Sequence, residues 1–382
     1  MRVAFIQNVP IQDHRMVHTD GVARELVKMG HKVDVYIQQS DRSNQFHDPP
    51  YELNYIKGET YSVKGQVAFS RRLVKKLESS HYDVFHTKNP FSSLLPILLT
   101  GKNRETKTIY DIRGLWVDFG VHRGSFHPTL GYLLNKVDVY CMNQADAVIA
   151  ISEELRRILS GRGVRQEKVE VIVGDGAKTH TDKRMPEEIR EIRRGGPLIG
   201  YVGSISVHRC SQQIIRSFKY VVDGGRPDAR LLMIGPVASS EQDYFSKFVE
   251  NLGLKDRVKF LWFDSHDDAL AAIKAFDIAV AYHEGDYDFF SVSVPTKVQE
   301  YMAAGRAIVT TNHGMYRNLL EHGRNGYMTE QNPESFAKGI LRVLGDDALR
   351  DMIAKEACDA AEEYSFKRVA EKVESLYRRI MD

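Results

Sequence analysis

Short β-branched and aromatic runs, each closed by a polar or glycine turn and followed by a helix-period segment, recur along almost the whole chain. This alternation limits the fold more than any other feature. Arg2–Gln7 ends in Asn8-Val9-Pro10, a helical stretch from Gly21 to Gly30 follows with Thr19 or Asp20 as its cap, and His31–Ile37 is a second strand. Strand, helix and strand in so short a span make a right-handed crossover, the unit of a parallel sheet. Buried-looking runs at Tyr82–His86, Thr108–Ile112, Ala147–Ile151 and Val169–Val173 extend that sheet. Residues 177–197 are polar and charged and lack a strand pattern, and the alternation then starts again at Leu198–Val202, Ala229–Ile234, Val258–Trp262, Ile278–Tyr282 and Ala307–Thr310. The fold class is α/β, with two doubly wound parallel sheets in succession. The expected domains are 1–178 and 198–365, with a linker over 179–197 and an amphipathic helix over 366–382.

The length supports two cores, since 382 residues exceed what one usually holds together. A net charge of +2 argues against a general nucleic-acid binder. Cys141, Cys210 and Cys358 show no metal-ligand spacing, and their odd number suits a reducing compartment, so no metal site is expected. The opening MRVAFIQNVP is a first strand rather than a leader, and the most apolar run, FSSLLPILLTG, is interrupted by serines, Pro96 and Gly101. The expected setting is the cytoplasm, with any membrane contact peripheral.

In parallel sheets ligands meet the carboxyl ends of the strands, so those ends supply the candidate site residues. In the first half they are the loop over residues 8–20 with Gly21, the segment His86–Asn89, and Asp111-Ile-Arg113. His86 reads equally as a buried, satisfied histidine, and Asp111 with Arg113 as a structural ion pair. A helical segment over 64–76 places Arg71, Arg72, Lys75 and Lys76 opposite Val63, Val67, Ser70, Val74 and Leu77. That face suits anionic lipid head groups or plain solvent.

In the second half, Gly203 lets the backbone approach a ligand, and Ser204, Ser206 and Arg209 add donors. A short helix then opens at Pro295 and runs through Lys297 and Glu300 to the Gly305 stop. Its first turn has free N–H groups and partial positive charge for a diphosphate, Lys297 adds a full charge, and the Glu300 carboxylate can accept both ribose hydroxyls. The plain reading of Lys297 and Glu300 is a solvated i,i+3 pair.

These stretches resemble family 4 glycosyltransferases of the GT-B fold. The resemblance is carried by Asp20-Gly21 with Gly30–Val33, by Ala145–Glu154, by Gly200–Ser204, by Ser293–Gly305 and by Asn325–Tyr327. It implies two facing Rossmann-like domains, with the last helix crossing back to the first, and a cleft between them. It also implies a retaining transfer without metal or resident cofactor, from a nucleotide-sugar donor on the second domain to a saccharide or lipid-linked acceptor on the first. By the same resemblance Glu300 holds the ribose, Gly203 and Ser204 lie against the diphosphate, and Arg209 and Lys297 neutralise it as it leaves. Asp20, Gly21, His86 and Arg113 fall on the acceptor side. Asp111, standing where the family often has histidine, becomes a candidate to take a proton or contact the donor sugar.

The chain departs from the family at Val292, where the first of two paired glutamates is usual, and at Ser204, where an arginine is common. Glu284 and Asp286 on the preceding loop are the acids that could replace the missing one. The expected role is cell-surface polysaccharide or glycolipid assembly, at the inner face of the membrane if the acceptor is lipid-linked. The alternatives are an inactive nucleotide-sugar-binding subunit, or a GT-B epimerase or hydrolase.

Overall fold

The computed structural model describes all residues except 12–15, 40–47, 59–61, 79, 101–104, 175, 179–182, 264 and 286, and only the backbone of Val63, Leu99 and Thr100. Its strands are β1 (Arg2–Pro10), β2 (Lys32–Gln38), β3 (Glu52–Ile56), β4 (Val84–Thr87), β5 (Lys107–Ile112), β6 (Ala147–Ala150), β7 (Val169–Val171), β8 (Leu198–Val202), β9 (Arg230–Ile234), β10 (Val258–Leu261), β11 (Ile278–Ala281), β12 (Ala307–Thr311) and β13 (Tyr327–Thr329). The α-helices begin with α1 (Met16–Lys28), α2 (Val63–Leu77), α3 (Pro90–Thr100), α4 (Trp116–His122), α5 (Pro128–Gln144), α6 (Glu153–Gly161), α7 (Glu187–Arg193) and α8 (Ser211–Asp223). They continue with α9 (Gln242–Asn251), α10 (His266–Ile273), α11 (Asp288–Ser291), α12 (Thr296–Ala303), α13 (Gly314–Arg317), α14 (Pro333–Leu344), α15 (Asp347–Ala361) and α16 (Phe366–Met381).

The chain divides into two compact units. The first is Met1–Gly176 with Asp288–Ser293 and Phe366–Asp382, and the second is Ala177–Tyr287 with Val294–Ser365. The first unit holds a parallel sheet of order β3-β2-β1-β4-β5-β6-β7. Side chains alternate across a strand, so β1 feeds two cores. Val3 and Phe5 pack with Val22, Leu26, Val373 and Tyr377 on one face, while Ala4 and Ile6 pack with Phe69, Leu73 and Tyr82 on the other. Burial on both faces explains why β1 reads as a continuous apolar run. Helix α16 lays Val369, Ala370, Val373, Leu376 and Tyr377 against this core. Burying each large apolar side chain there contributes about 1.5–3 kcal/mol.

The second unit holds a parallel sheet of order β10-β9-β8-β11-β12-β13. In both sheets the chain starts near the middle, builds outward one way, and returns to build the other. The strand order therefore reverses between β1 and β4 in one sheet and between β8 and β11 in the other. The crevices at such switch points are where ligands bind in open α/β sheets.

Several expectations are corrected. Helix α1 starts at Met16 rather than Gly21, so Asp20 and Gly21 lie inside it. Neither expected cap is used: the Thr19 hydroxyl accepts from Gln7, and the Asp20 carboxylate is occupied by Arg24 and the Tyr51 hydroxyl. The buried stripe of α2 is Gln66, Phe69, Ser70, Leu73 and Leu77, and Val67 faces solvent, because Phe69 is the larger apolar group and sets the phase. Arg71, Arg72, Lys75 and Lys76 are on the exposed side. Helix α3 runs through Pro96 without a break, and the stretch read as a linker carries α7. The edge strands β3 and β13 escape the sequence reading because they are short and only partly buried.

Candidate functional site

At the first unit's switch point, β4 and β5 deliver a buried charge cluster. Asp111, at the end of β5, is fully buried, and Arg113 Nε lies 2.7 Å from its Oδ1. Its Oδ2 faces His86 Nε2 at 3.2 Å, His18 Nε2 at 3.5 Å and Lys88 Nζ at 3.5 Å. Arg113 also donates to the Gly174 carbonyl at 2.8 Å and lies 2.8 Å from His18 Nε2. A guanidinium only donates, so His18 accepts at Nε2 and carries its proton on Nδ1.

His86 is fixed from three sides. Phe5, its register partner on β1, stacks on the ring at 4.4 Å, and Nδ1 is 2.6 Å from the Tyr377 hydroxyl. With Nε2–H donating to the Asp111 carboxylate, Nδ1 accepts from Tyr377, which α16 supplies.

Burial pushes the Asp111 carboxyl up, but Arg113, Lys88 and the hydrogen bond from His86 outweigh it and hold the group well below the usual carboxylate range. A carboxylate held that low is a weak base, so Asp111 fits the role of counter-charge better than that of proton acceptor. Burial, reinforced by Arg113 and Lys88, lowers His18 to about 4, and burial lowers His86 too. Both imidazoles are neutral at pH 7. Of these two cations only small parts of the side chains reach solvent, Lys88 being 11% and Arg113 14% exposed, while their charged ends face Asp111.

Asp20 and Gly21 do not join this cluster. Asp20 is committed to Arg24 at 2.9 Å and Tyr51 at 2.7 Å. A side chain at Gly21 would collide with the Phe366 ring, so that glycine is explained by helix packing. His18 sits one turn from them in a stretch whose sequence reads as a loop, and nothing local connects it to a strand end far along the chain. Lys88 lies in the strand-end segment His86–Asn89, where no sequence signal sets it apart from its neighbours.

At the second unit's switch point, Gly203 follows β8 with φ +140°, a conformation that favours glycine. The space a Cβ would take is occupied by Lys297 Nζ, 2.6 Å away. Lys297 lies over the Tyr201 ring at 4.1 Å and donates to its hydroxyl at 3.0 Å, and Tyr201 in turn donates to the Ser204 carbonyl. The expected Lys297–Glu300 pair is not formed. Lys297 has no carboxylate partner among the described residues, while Glu300, nearly buried, faces His266 Nε2 at 3.1 Å. The Glu300 hydrogen bond, stronger than the opposing burial, raises His266 above its ordinary value.

Helix α12 begins after Pro295 with no side-chain cap on its first turn. Its register is set by Tyr301, whose hydroxyl accepts from the Val202 N–H at 2.7 Å and ties α12 to β8. Arg209 closes a short 3-10 turn and is exposed, and the next residue, Cys210, has φ +57° and caps α8. Among the described residues Arg209 has no carboxylate partner.

On the facing loop, Glu284 accepts from Gln213 at 2.9 and 3.1 Å and from the Tyr282 hydroxyl at 2.9 Å. Beside it His283 donates Nδ1–H to the Glu284 carbonyl at 3.0 Å and stacks on His313 at 5.0 Å. Burial lowers His283 to about 4, with His313, Arg209 and Lys297 pushing the same way. The fields of Arg209 and Lys297 thus converge on one spot. Gly203, Ser204, Arg209, Glu284, Pro295, Lys297 and Glu300 are all brought to this end of the second sheet. Sequence reasoning missed His266, His283 and Gln213, and only the position of His283 at the end of β11 could have signalled one of them. Asp286 lies outside the described residues, and Val292 is buried with its carbonyl accepting from Ser152 at 2.8 Å.

Residues 182–359 match the model of glycosyl transferases group 1, and residues 17–173 that of glycosyltransferase family 4. An uncharacterized glycosyltransferase of Methanocaldococcus jannaschii is 24% identical over 96% of this chain and 94% of its own. A capsular polysaccharide biosynthesis glycosyltransferase of Staphylococcus aureus, CapM, is 23% identical over 78% of this chain and 79% of its own. Among solved structures, Anabaena HepE in complex with UDP and glucose superposes with a TM-score of 0.76 at 18% identity, covering 99% of this chain and 100% of that one. WaaG, a glycosyltransferase involved in lipopolysaccharide biosynthesis, superposes with a TM-score of 0.73 at 14% identity over 98% of this chain and 99% of that one. Both likenesses are of fold.

Proposed function

The chain belongs to the group 1, family 4 glycosyltransferases, and from that premise we propose that it moves a sugar from a nucleotide-sugar donor to a saccharide or lipid-linked acceptor, with retention and without a metal. The observation that carries this reading is Lys297 Nζ lying against Gly203 near the uncapped first turn of α12, with Arg209 acting on the same neighbour, His283, and neither cation having a carboxylate partner among the described residues. Such a group of donors is matched by a diphosphate. As the bond to the sugar breaks, charge grows on the leaving phosphate, and fixed cations there favour the transition state over the ground state.

Glu300 is the acceptor for ribose hydroxyls, exchanging its His266 partner for the ligand. Glu284, held by Gln213 and Tyr282, takes the place of the acid missing at Val292 and faces the sugar. The first unit's cluster borders the acceptor or the transferred sugar through the small exposed parts of Lys88 and Arg113, which Asp111, His86 and His18 hold in place. The leaving phosphate itself takes the acceptor's proton, since Asp111 is too weak a base.

HepE was solved with UDP, which makes a uridine nucleotide the first donor to try. The likeness to CapM supports cell-surface polysaccharide synthesis. No described helix is long and apolar enough to cross a membrane. The basic face of α2 is the proposed contact with anionic lipid at the cytoplasmic surface. Vesicle sedimentation that survives replacement of Arg71, Arg72, Lys75 and Lys76 by glutamine would rule that contact out.

Calorimetric binding of UDP, GDP, ADP and CMP in chelator tests the donor site. Selective binding of one nucleotide, weakened by Glu300→Gln, is the expected result. Binding of none of them removes the donor site. If the matching nucleotide sugar binds but is never consumed, the chain is an inactive subunit, and consumption without an acceptor marks a hydrolase or epimerase.

A further inference from the structure

Helix α5 of the first unit carries an apolar stripe that the fold leaves uncovered. Its inner side, Gly131, Leu134, Asp138, Cys141 and Met142, is buried. Leu130, Leu133, Val137 and Tyr140 are 36–56% exposed, and Tyr132, beside them, is 62% exposed. No other helix among the described residues exposes as many large apolar side chains.

Two properties point to an occupant. The spacing i, i+3, i+7, i+10 is the seam of a helix pair, and reversing the helix maps it onto itself, so Leu130 meets Tyr140 and Leu133 meets Val137 of a second helix running the other way. A two-fold axis produces that match, because an isologous interface uses the same patch on both copies.

The area is also adequate. At about 150–250 Å² for a whole large side chain, the five residues present on the order of 450 Å², within the range of the largest patch on a typical monomer. Tyr132 lies off the seam, so two copies joined at the other four residues and at Leu98 on the neighbouring α3, 48% exposed, remove on the order of 800 Å², the size of a weak, reversible contact.

We propose that the α5 stripe is the interface of an antiparallel, two-fold dimer of this chain. Sedimentation velocity over a wide concentration range tests it, with Leu133→Asp and Val137→Asp as separate variants. Both positions are exposed, so each variant folds, and a far-ultraviolet spectrum checks this. The expected result is a concentration-dependent dimer whose dissociation constant rises at least ~30-fold in either variant. In a Cys358→Ser background, mixed Leu133→Cys and Val137→Cys chains should cross-link faster than either alone. A dimer indifferent to both aspartates places the interface elsewhere, and preferential 133-to-133 cross-linking makes the pair parallel, so either overturns the proposal. A chain that stays monomeric also overturns it, and if that monomer binds phosphatidylglycerol vesicles in a way Leu133→Asp abolishes, the stripe is a lipid face.

Discussion

The two switch points use the same backbone geometry and opposite electrostatics. In the first unit, Lys88 and Arg113 are balanced by a buried carboxylate, Asp111, and the neutral imidazoles of His18 and His86 complete its shell. In the second, Lys297 and Arg209 have no carboxylate partner among the described residues, and the acids there are turned elsewhere, Glu300 to His266 and Glu284 to Gln213 and Tyr282. A cluster that satisfies itself stabilises the fold and leaves little charge for a ligand. One with uncompensated cations accepts a less favourable folded state in exchange for affinity toward an anion. Substitutions should therefore damage stability in the first unit and binding in the second.

The largest effect is expected at Asp111. Asp111→Asn keeps the shape but leaves Lys88 and Arg113 beside a neutral amide in a buried setting, which costs about 3–5 kcal/mol. Chemical denaturation should show this as a large fall in the first unit's midpoint. If the midpoint holds and only turnover is lost, Asp111 acts on the reaction directly and the contrast between the units fails.

Next come the second unit's cations. Lys297→Met or Arg209→Ala should weaken binding of the cognate nucleoside diphosphate about 10- to 100-fold, or ~1.4–2.8 kcal/mol, for the loss of one charge-assisted contact. The thermal midpoint of the free protein should barely move. A Lys297→Met protein that binds the nucleotide normally would show that the ammonium serves only to cover Gly203.

How much of this was legible in the chain depends on how local each cause is. Lys297 and Glu300 are legible because a proline, a helical period and a glycine stop all act within a few residues, and Gly203 because a glycine-serine turn directly follows a strand. The two sheets were legible because apolar runs alternate with helical stretches. The partners that give the site residues their character come from afar: Tyr377 reaches His86 from the last helix, His18 reaches Asp111 from the first, and His266 reaches Glu300 from a helix before it. Strand order creates those meetings, and no local pattern encodes it. The start of α1 was misplaced for a related reason, since Asp20 resembles a cap in sequence but is held by Tyr51.

The first unit should also respond to acid. His18 sits at about 4 in the folded chain and near 6.5 unfolded, so between those values the unfolded state binds more protons and stability falls as pH drops. His86 is lowered too and adds to the loss, while Asp111 extends it below pH ~3.9, where the unfolded carboxyl protonates first. Buried Asp138, raised to about 7, works the other way, since its stabilisation is lost as pH rises from about 4 to 7. The His18 part is isolated by comparison with His18→Asn. From pH 6.5 to 4 the wild type should lose up to a few kcal/mol more than that variant. Parallel curves would mean that His18 is protonated without penalty.

The smallest effect, and the one that ties electrostatics to ligand, is at His266. Its raised value comes chiefly from Glu300, so it contributes stability fully below pH ~6.5, and that contribution is lost as pH rises through the folded value. The ring is half exposed, so solvent screening keeps the contribution small, and the ring's titration is a better readout than the melting curve. In the free protein the His266 ring protons should titrate above 6.5. Adding the nucleotide should move that midpoint downward, because ribose hydroxyls then occupy the carboxylate that had favoured the imidazolium. Glu300→Gln should abolish both the raised value and the response to nucleotide. A midpoint that nucleotide leaves in place would mean that Glu300 keeps His266 while the ligand is bound, and the ribose would then be held by another group.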